Sequence, residues 1–281
     1  MSRIAPAPSS LLWFARVLAA FARRELAAVA GYRVSFLFRG FSFAISVLAL
    51  AFLSRLVGAS ANPLLTEYGG DYLTFAVIGL VVMDLQQVAV NNLSQRVRNS
   101  QIMGLFEAEL ATPVPAWIVL GVGPTYELAL ALLRSVLYFA LIRAVFGVSF
   151  PHASFTTLAL AAPLVLGAFG GIGMLAAATT MLVRRSNPVG ALLASSSFLL
   201  SGVAYPVSVL PAGLRALGQA LPTTHALDVV RGALLRGATP SELASSFLAL
   251  GAFAGLAIPL GVGLFVFALR RARIDGSLSH Y

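Results

Sequence analysis

Charged and amide side chains set inside long apolar runs are where this sequence could do chemistry. A charge at membrane depth is costly, so it is kept where it pairs, binds or lines a polar path. Asp84 sits in the middle of one such run, with Gln87 and Asn91 spaced to share its helical face. Glu127 and Arg134 lie seven residues apart, two turns along one face of the next run. If the two runs are neighbours, Asp84 and Arg134 can pair. Three readings of these groups stay open: a polar seam lining a path or subunit contact, a structural ion pair fixing helix register, or a proton relay. Arg39, Arg55 and Arg143 stand near run ends, where a long side chain snorkels to the interface.

Catalytic patterns are missing. The chain has no Lys, which rules out a P-loop, and it has no His-Glu-x-x-His or Gly-x-Ser-x-Gly. With no Cys and three scattered His (His152, His225, His280), thiol catalysis, disulfides and Cys- or His-based metal centres have no basis. No catalytic, cofactor-binding or metal residue is therefore expected in this chain.

A mean hydropathy of +0.90 with only 10% charged residues places the chain outside the soluble range. Apolar runs of about 18 residues or more recur from Val34 to Phe267, and none alternates strictly. The expected fold is all-α: a single polytopic membrane domain over residues 1–281 with six transmembrane helices. The spans run about Arg33–Val57, Tyr72–Arg96, Trp117–Phe146, Phe155–Val183, Val189–Val203 and Leu243–Leu269. The fifth is too short to cross a hydrocarbon core of about 30 Å alone. Between it and the sixth, residues 204–242 are semi-polar and broken by Pro211, Gly218 and Pro222. They are expected to form two short helices, Ala212–Leu221 and His225–Leu235, dipping back into the membrane. Gly167, Gly170, Gly171 and Gly173 in the fourth span read as close helix packing in preference to a hinge.

Ahead of the first span, residues 10–31 place Leu11, Phe14, Val17, Leu18 and Phe21 opposite Arg16, Arg23, Arg24 and Glu25. That pattern suits an interfacial amphipathic helix, or else a plain extension of the first span. The first span is longer than the core of a signal peptide and is expected to be retained. All 19 basic residues are Arg. With both termini cytoplasmic, 12 lie in inner segments (3, 16, 23, 24, 33, 96, 98, 184, 185, 270, 271 and 273) and three (215, 231 and 236) in the long outer loop. This asymmetry fixes the orientation by the positive-inside rule, and it explains the net charge of +9 without nucleic acid.

The same orientation puts residues 98–116 in the cytoplasm. There Met103, Leu105, Phe106 and Leu110 give one apolar side to a short helix that also carries Glu107 and Glu109 and stops at Thr112-Pro113-Val114-Pro115. Such a segment is suited to docking on another chain.

Two local sequences resemble the permeases of type-2 ABC transporters. One is Gly104-Leu105-Phe106-Glu107-Ala108-Glu109-Leu110-Ala111-Thr112-Pro113. The other is Gly202-Val203-Ala204-Tyr205-Pro206 through Pro211, followed by Leu221-Pro222-Thr223-Thr224-His225-Ala226-Leu227-Asp228-Val229-Val230-Arg231. The resemblance implies the membrane half of an ATP-driven exporter, in which two permease subunits pair with two separate ATPase subunits that hold Mg-ATP. It makes residues 99–112 the coupling helix, with Gln101, Leu105 and Leu110 in the contact, Phe106 as apolar anchor, and Glu107 and Glu109 against basic groove residues. It makes Tyr205, Pro206, His225, Asp228 and Arg231 part of an outer re-entrant gate. Phe106 departs from the small polar residue or Leu that is commoner in the family. The implied localisation is a bacterial plasma membrane, multi-pass, with the permease paired as a homodimer. The expected cargo is a hydrophobic or amphipathic small molecule, drug or lipid-linked substrate, with a polysaccharide or glycolipid as the alternative. From other classes, a proton-coupled transporter using Asp84 would need inverted repeats, which are not visible, and a non-transporting scaffold is the third reading.

Overall fold

A computed structural model of the chain describes residues 33–57, 71–102, 116–148, 150–183 and 187–274. Among these residues the regular structure is entirely helical. In chain order the helices are α1 (Arg33–Val57), α2 (Tyr72–Ile102), α3 (Ala116–Phe146), α4 (Phe155–Val183), α5 (Pro188–Leu200), α6 (Ala212–Gln219), α7 (Pro222–Arg231) and α8 (Ala244–Ile274). Unbroken Ala, Leu, Val and Phe runs without a polar partner for their backbone must close their own hydrogen bonds, and a helix does so within one segment. Four described stretches are long and apolar enough to cross a membrane: Tyr72–Ile102, Glu127–Phe146, Phe155–Val183 and Ala244–Arg271. The apolar stretches Gly40–Arg55 in α1 and Pro188–Leu200 in α5 are shorter. The interfacial helix expected at 10–31, and Leu105, Phe106, Glu107, Glu109 and Leu110 of the docking segment, lie outside the described residues.

Among the boundaries that differ from the sequence reading, α5 ends at Leu200 where Val203 was expected, α8 continues to Ile274 past the expected Leu269, and three more have a local reason. The second span continues past Arg96 to Ile102, because Asn99, Ser100 and Gln101 are polar without breaking a helix. α6 closes at Gln219, two residues short of the expected Leu221, with the Ala220 N–H bonded back to the Ala216 carbonyl. α7 begins at Pro222 where His225 was expected, since proline at a first helical position has a preset φ and no N–H to satisfy. A wide π turn, Gly232–Arg236, follows α7 and ends at Gly237 with φ 64°.

The bundle is built around α2. In its most apolar stretch 78% of residues are buried, against 28–33% in the other three spanning helices. Residue numbers fall along α2 (Asp84, Val81, Val77) as they rise along α3 (Arg134, Tyr138, Ile142), so these two run antiparallel. Likewise Phe43 and Val47 of α1 cluster with Val77 and Val81 while Leu50 packs on Phe75 and Ala76, making α1 antiparallel to α2 and parallel to α3. On the other flank small residues let backbones meet. A Cβ on Gly171 would lie 2.7 Å from the Ala257 backbone of α8, and one on Gly173 would overlap the Ala89 carbonyl of α2. The glycines of α4 are therefore packing surfaces, two of them in direct backbone contact.

Candidate functional site

Burial of α2 is uneven in a way that marks a site. Val82, Leu85, Val88, Ala89, Val90 and Leu93 are buried, whereas Asp84, Gln87 and Asn91 are only half-buried and Gln95 is exposed. Their spacing puts all four on one stripe. The most buried helix of the bundle thus leaves its polar face open, the reverse of an ordinary surface helix in lipid.

Three residues of the stripe, Asp84, Gln87 and Asn91, are held by neighbours. Arg134 of α3 donates to Asp84 Oδ2 from Nη2 at 2.6 Å and from Nε at 3.1 Å. Two donors on one oxygen leave Oδ1 outside the pair. Arg134 also stands 6.0 Å from the ring of Tyr138, which stacks on Phe43 of α1 with centroids 3.6 Å apart. Lower on the stripe, Asn91 Nδ2 donates to Gln87 Oε1 at 2.6 Å, and Asn91 Oδ1 accepts from Asn187 Nδ2 at 3.0 Å. Asn187 is the N-cap of α5, accepting from the Gly190 N–H at 2.8 Å. Glycine at 190 leaves room for this network, since a Cβ there would lie 2.5 Å from Asn91 Oδ1 and displace the two Asn side chains. The stripe therefore bridges α3 on one side and the start of α5 on the other. Glu127 is half-buried on α3, two turns before Arg134, and stands apart from the ion pair.

Behind the stripe lies a buried polar chain. Thr223 of α7 donates to Gln86 Oε1, and its Oγ1 is 2.9 Å from Ser197 Oγ of α5. Gln86, Thr223 and Ser197 are at most 1% exposed, and their mutual bonds offset the cost of that burial.

Past α5 the chain turns at Gly202, φ 80°, and is pinned there by Arg231. The Arg231 guanidinium donates to the carbonyls of Gly202 (2.8 Å), Val203 (3.1 Å) and Phe75 (3.1 Å), and lies 3.5 Å from the Phe75 ring centroid. These contacts hold a cation that is only 4% exposed. Gly79 completes the fit, because a Cβ on it would overlap the Val203 carbonyl. The other residues expected at the gate tie separate pieces and do not converge on one point. Tyr205 donates to the Leu199 carbonyl, and Pro206 is buried at the start of the Val207–Val209 turn. His225 Nε2 is 2.9 Å from the Gln219 carbonyl, and Asp228 accepts from Ser246 of α8 at 2.6 Å.

A protein-family model described as ABC-2 type transporter matches residues 16–235. The chain belongs to that family. No curated protein matches it individually. As an ABC-2 transporter it is a membrane transport subunit, multi-pass, that works with an ABC ATPase subunit. The matched region takes in the polar stripe, the segment expected to dock and the Arg231 pin together.

Within this ABC-2 subunit, two of the intramembrane groups singled out by sequence, Asp84 and Arg134, meet directly, and two more, Gln87 and Asn91, bond to each other. Gln101 is the penultimate residue of α2 and buried. Sequence reasoning missed Asn187, Gly190, Thr223 and Ser197. A polar residue just before Pro188 was the available signal for the first; the rest are brought in by tertiary contact.

Proposed function

We propose that two copies of this ABC-2 subunit pair so that the open polar stripes of α2 line one export path. The carrying observation is the stripe itself: Asp84, Gln87 and Asn91 are only half-buried and Gln95 is exposed on the most buried helix of the bundle. At membrane depth such a face belongs against water or protein rather than lipid. The cargo this path suits is a hydrophobic or amphipathic small molecule, drug or lipid-linked substrate, since neutral amides alternate there with an internally paired charge. The Arg134 partner of Asp84 favours a structural role for that carboxylate over proton shuttling.

In this reading the chain adopts the six-span architecture, with α1 and α5 as the remaining spans and α6 and α7 as the re-entrant outer gate closed by Arg231. Both termini face the cytoplasm of a bacterial cell. Residues 99–112 dock on an ATPase subunit, one per permease, and ATP binding there draws the two docking segments together and rocks the spans. Glu107 and Glu109 supply the negative face of that contact. The test is export by reconstituted complexes carrying Glu107→Arg and Glu109→Arg together. Loss of export with normal membrane insertion is expected; normal export would contradict docking through this segment.

A further inference from the structure

We propose that the cleft between α1 and α3 binds one acyl chain of an anionic phospholipid, with the phosphate held at Arg55. The cleft encloses about 290 Å³ and its walls are apolar, among them Phe41, Ala44 and Leu48 on α1 and Leu141, Val145 and Phe146 on α3. Ile142, 2% exposed, and the stacked Phe43–Tyr138 pair close its inner side, so it opens outward, where Phe41 and Val145 are 64% and 63% exposed. A space without polar partners does not hold water, and if empty its walls lose dispersion contacts. Around two membrane-spanning helices, the molecule at hand to fill it is a lipid tail.

Charge decides which lipid. Arg55 lies on the same stripe of α1 as Ala44 and Leu48, about 10 Å beyond Leu48 at 1.5 Å per residue. Its guanidinium stands 6.0 Å from the ring of Phe52, the residue between it and Leu48 on that stripe, so the cation folds back over the face that holds the cleft. α1 contains no carboxylate, and α3 has none after Glu127. An exposed Arg with no acid on its own helix, about 10 Å beyond an apolar slot, matches a phosphodiester headgroup; guanidinium binds phosphate through paired N–H donors.

Native mass spectrometry of the full chain, purified from mixed phosphatidylglycerol and phosphatidylcholine membranes, tests this. The wild-type chain should retain phosphatidylglycerol in preference to phosphatidylcholine. Arg55→Gln should keep a lipid while its preference for phosphatidylglycerol drops about fivefold, the factor one Arg contributes near an anionic surface. Leu48→Trp, at a half-exposed position, should fill the slot and remove one bound lipid. Equal retention of both lipids by wild type, or an unchanged preference in Arg55→Gln, would overturn the proposal. So would a Leu48→Trp chain whose dimers separate while its bound lipid is unaltered, since the cleft would then be a contact between copies.

Discussion

Arg134 and Asp84 form an ion pair that joins α3 to α2 at the middle of the bundle, with both contacts on one carboxylate oxygen and side-chain exposures of 7% and 29%. Because Arg134 also leans toward Tyr138, and Tyr138 stacks on Phe43, the pair is the polar end of a chain of contacts crossing three helices. Helices linked in this way are mechanically coupled, as the proposed drive from residues 99–112 requires.

Removing one partner should be worse than removing both. Arg134→Leu leaves a carboxylate stranded and should cost roughly 3 kcal/mol, near the lower end for a broken buried pair because Asp84 is partly open. Asp84→Leu together with Arg134→Leu should recover most of that. Thermal unfolding of the purified single and double variants in one detergent makes the comparison. Strictly additive losses would mean that the pair carries no coupling.

The Arg231 pin depends on a planar fork. Lysine can keep the charge but cannot reach three carbonyls while lying flat on Phe75. Arg231→Lys should therefore lower stability by about 2 kcal/mol, the scale of a lost hydrogen bond to a charged group. It should also loosen the turn at Gly202, read as faster proteolysis between α5 and α6. An unchanged melting midpoint and cleavage pattern would show that the contacts are replaceable.

Gly79→Ala should act at the same joint by a different cause. The new methyl would overlap the Val203 carbonyl and force the turn off α2, an overpacking cost of about 1–3 kcal/mol. Gly251→Ala on α8, where nothing lies within 4 Å, is the control and should leave stability the same or raise it by up to about 1 kcal/mol, since Ala favours helix. Equal effects at the two positions, by thermal unfolding, would remove the close approach from the explanation.

The long elements were legible in the sequence because hydropathy alone sets them. The reading of α1 as Arg33–Val57 and of α4 as Phe155–Val183 matches the helices residue for residue. The Asp84–Arg134 pair was legible too, since an unpaired charge in a span has few places to go. Local polarity misled at Asn99–Gln101, where helix continues into a polar stretch, and at Pro222, where a residue taken as a break starts a helix. The Arg231 pin was out of reach: its partners at Phe75 and Gly202 are 156 and 29 residues away and offer backbone carbonyls, which every residue has. The Gln86–Thr223–Ser197 chain was hidden for the same reason.

The sequence has no Cys, so a single introduced thiol reports on one position without background. The thiolate, which forms only where water reaches it, adds to the maleimide double bond. Gln87→Cys and Asn91→Cys, in membranes containing the ATPase partner, should therefore react with a water-soluble maleimide, at a rate that changes when ATP binds. Leu256→Cys, 64% exposed on the apolar face of α8, should stay unmodified. A Gln87→Cys thiol as inert as Leu256→Cys in every nucleotide state would contradict an aqueous path along α2.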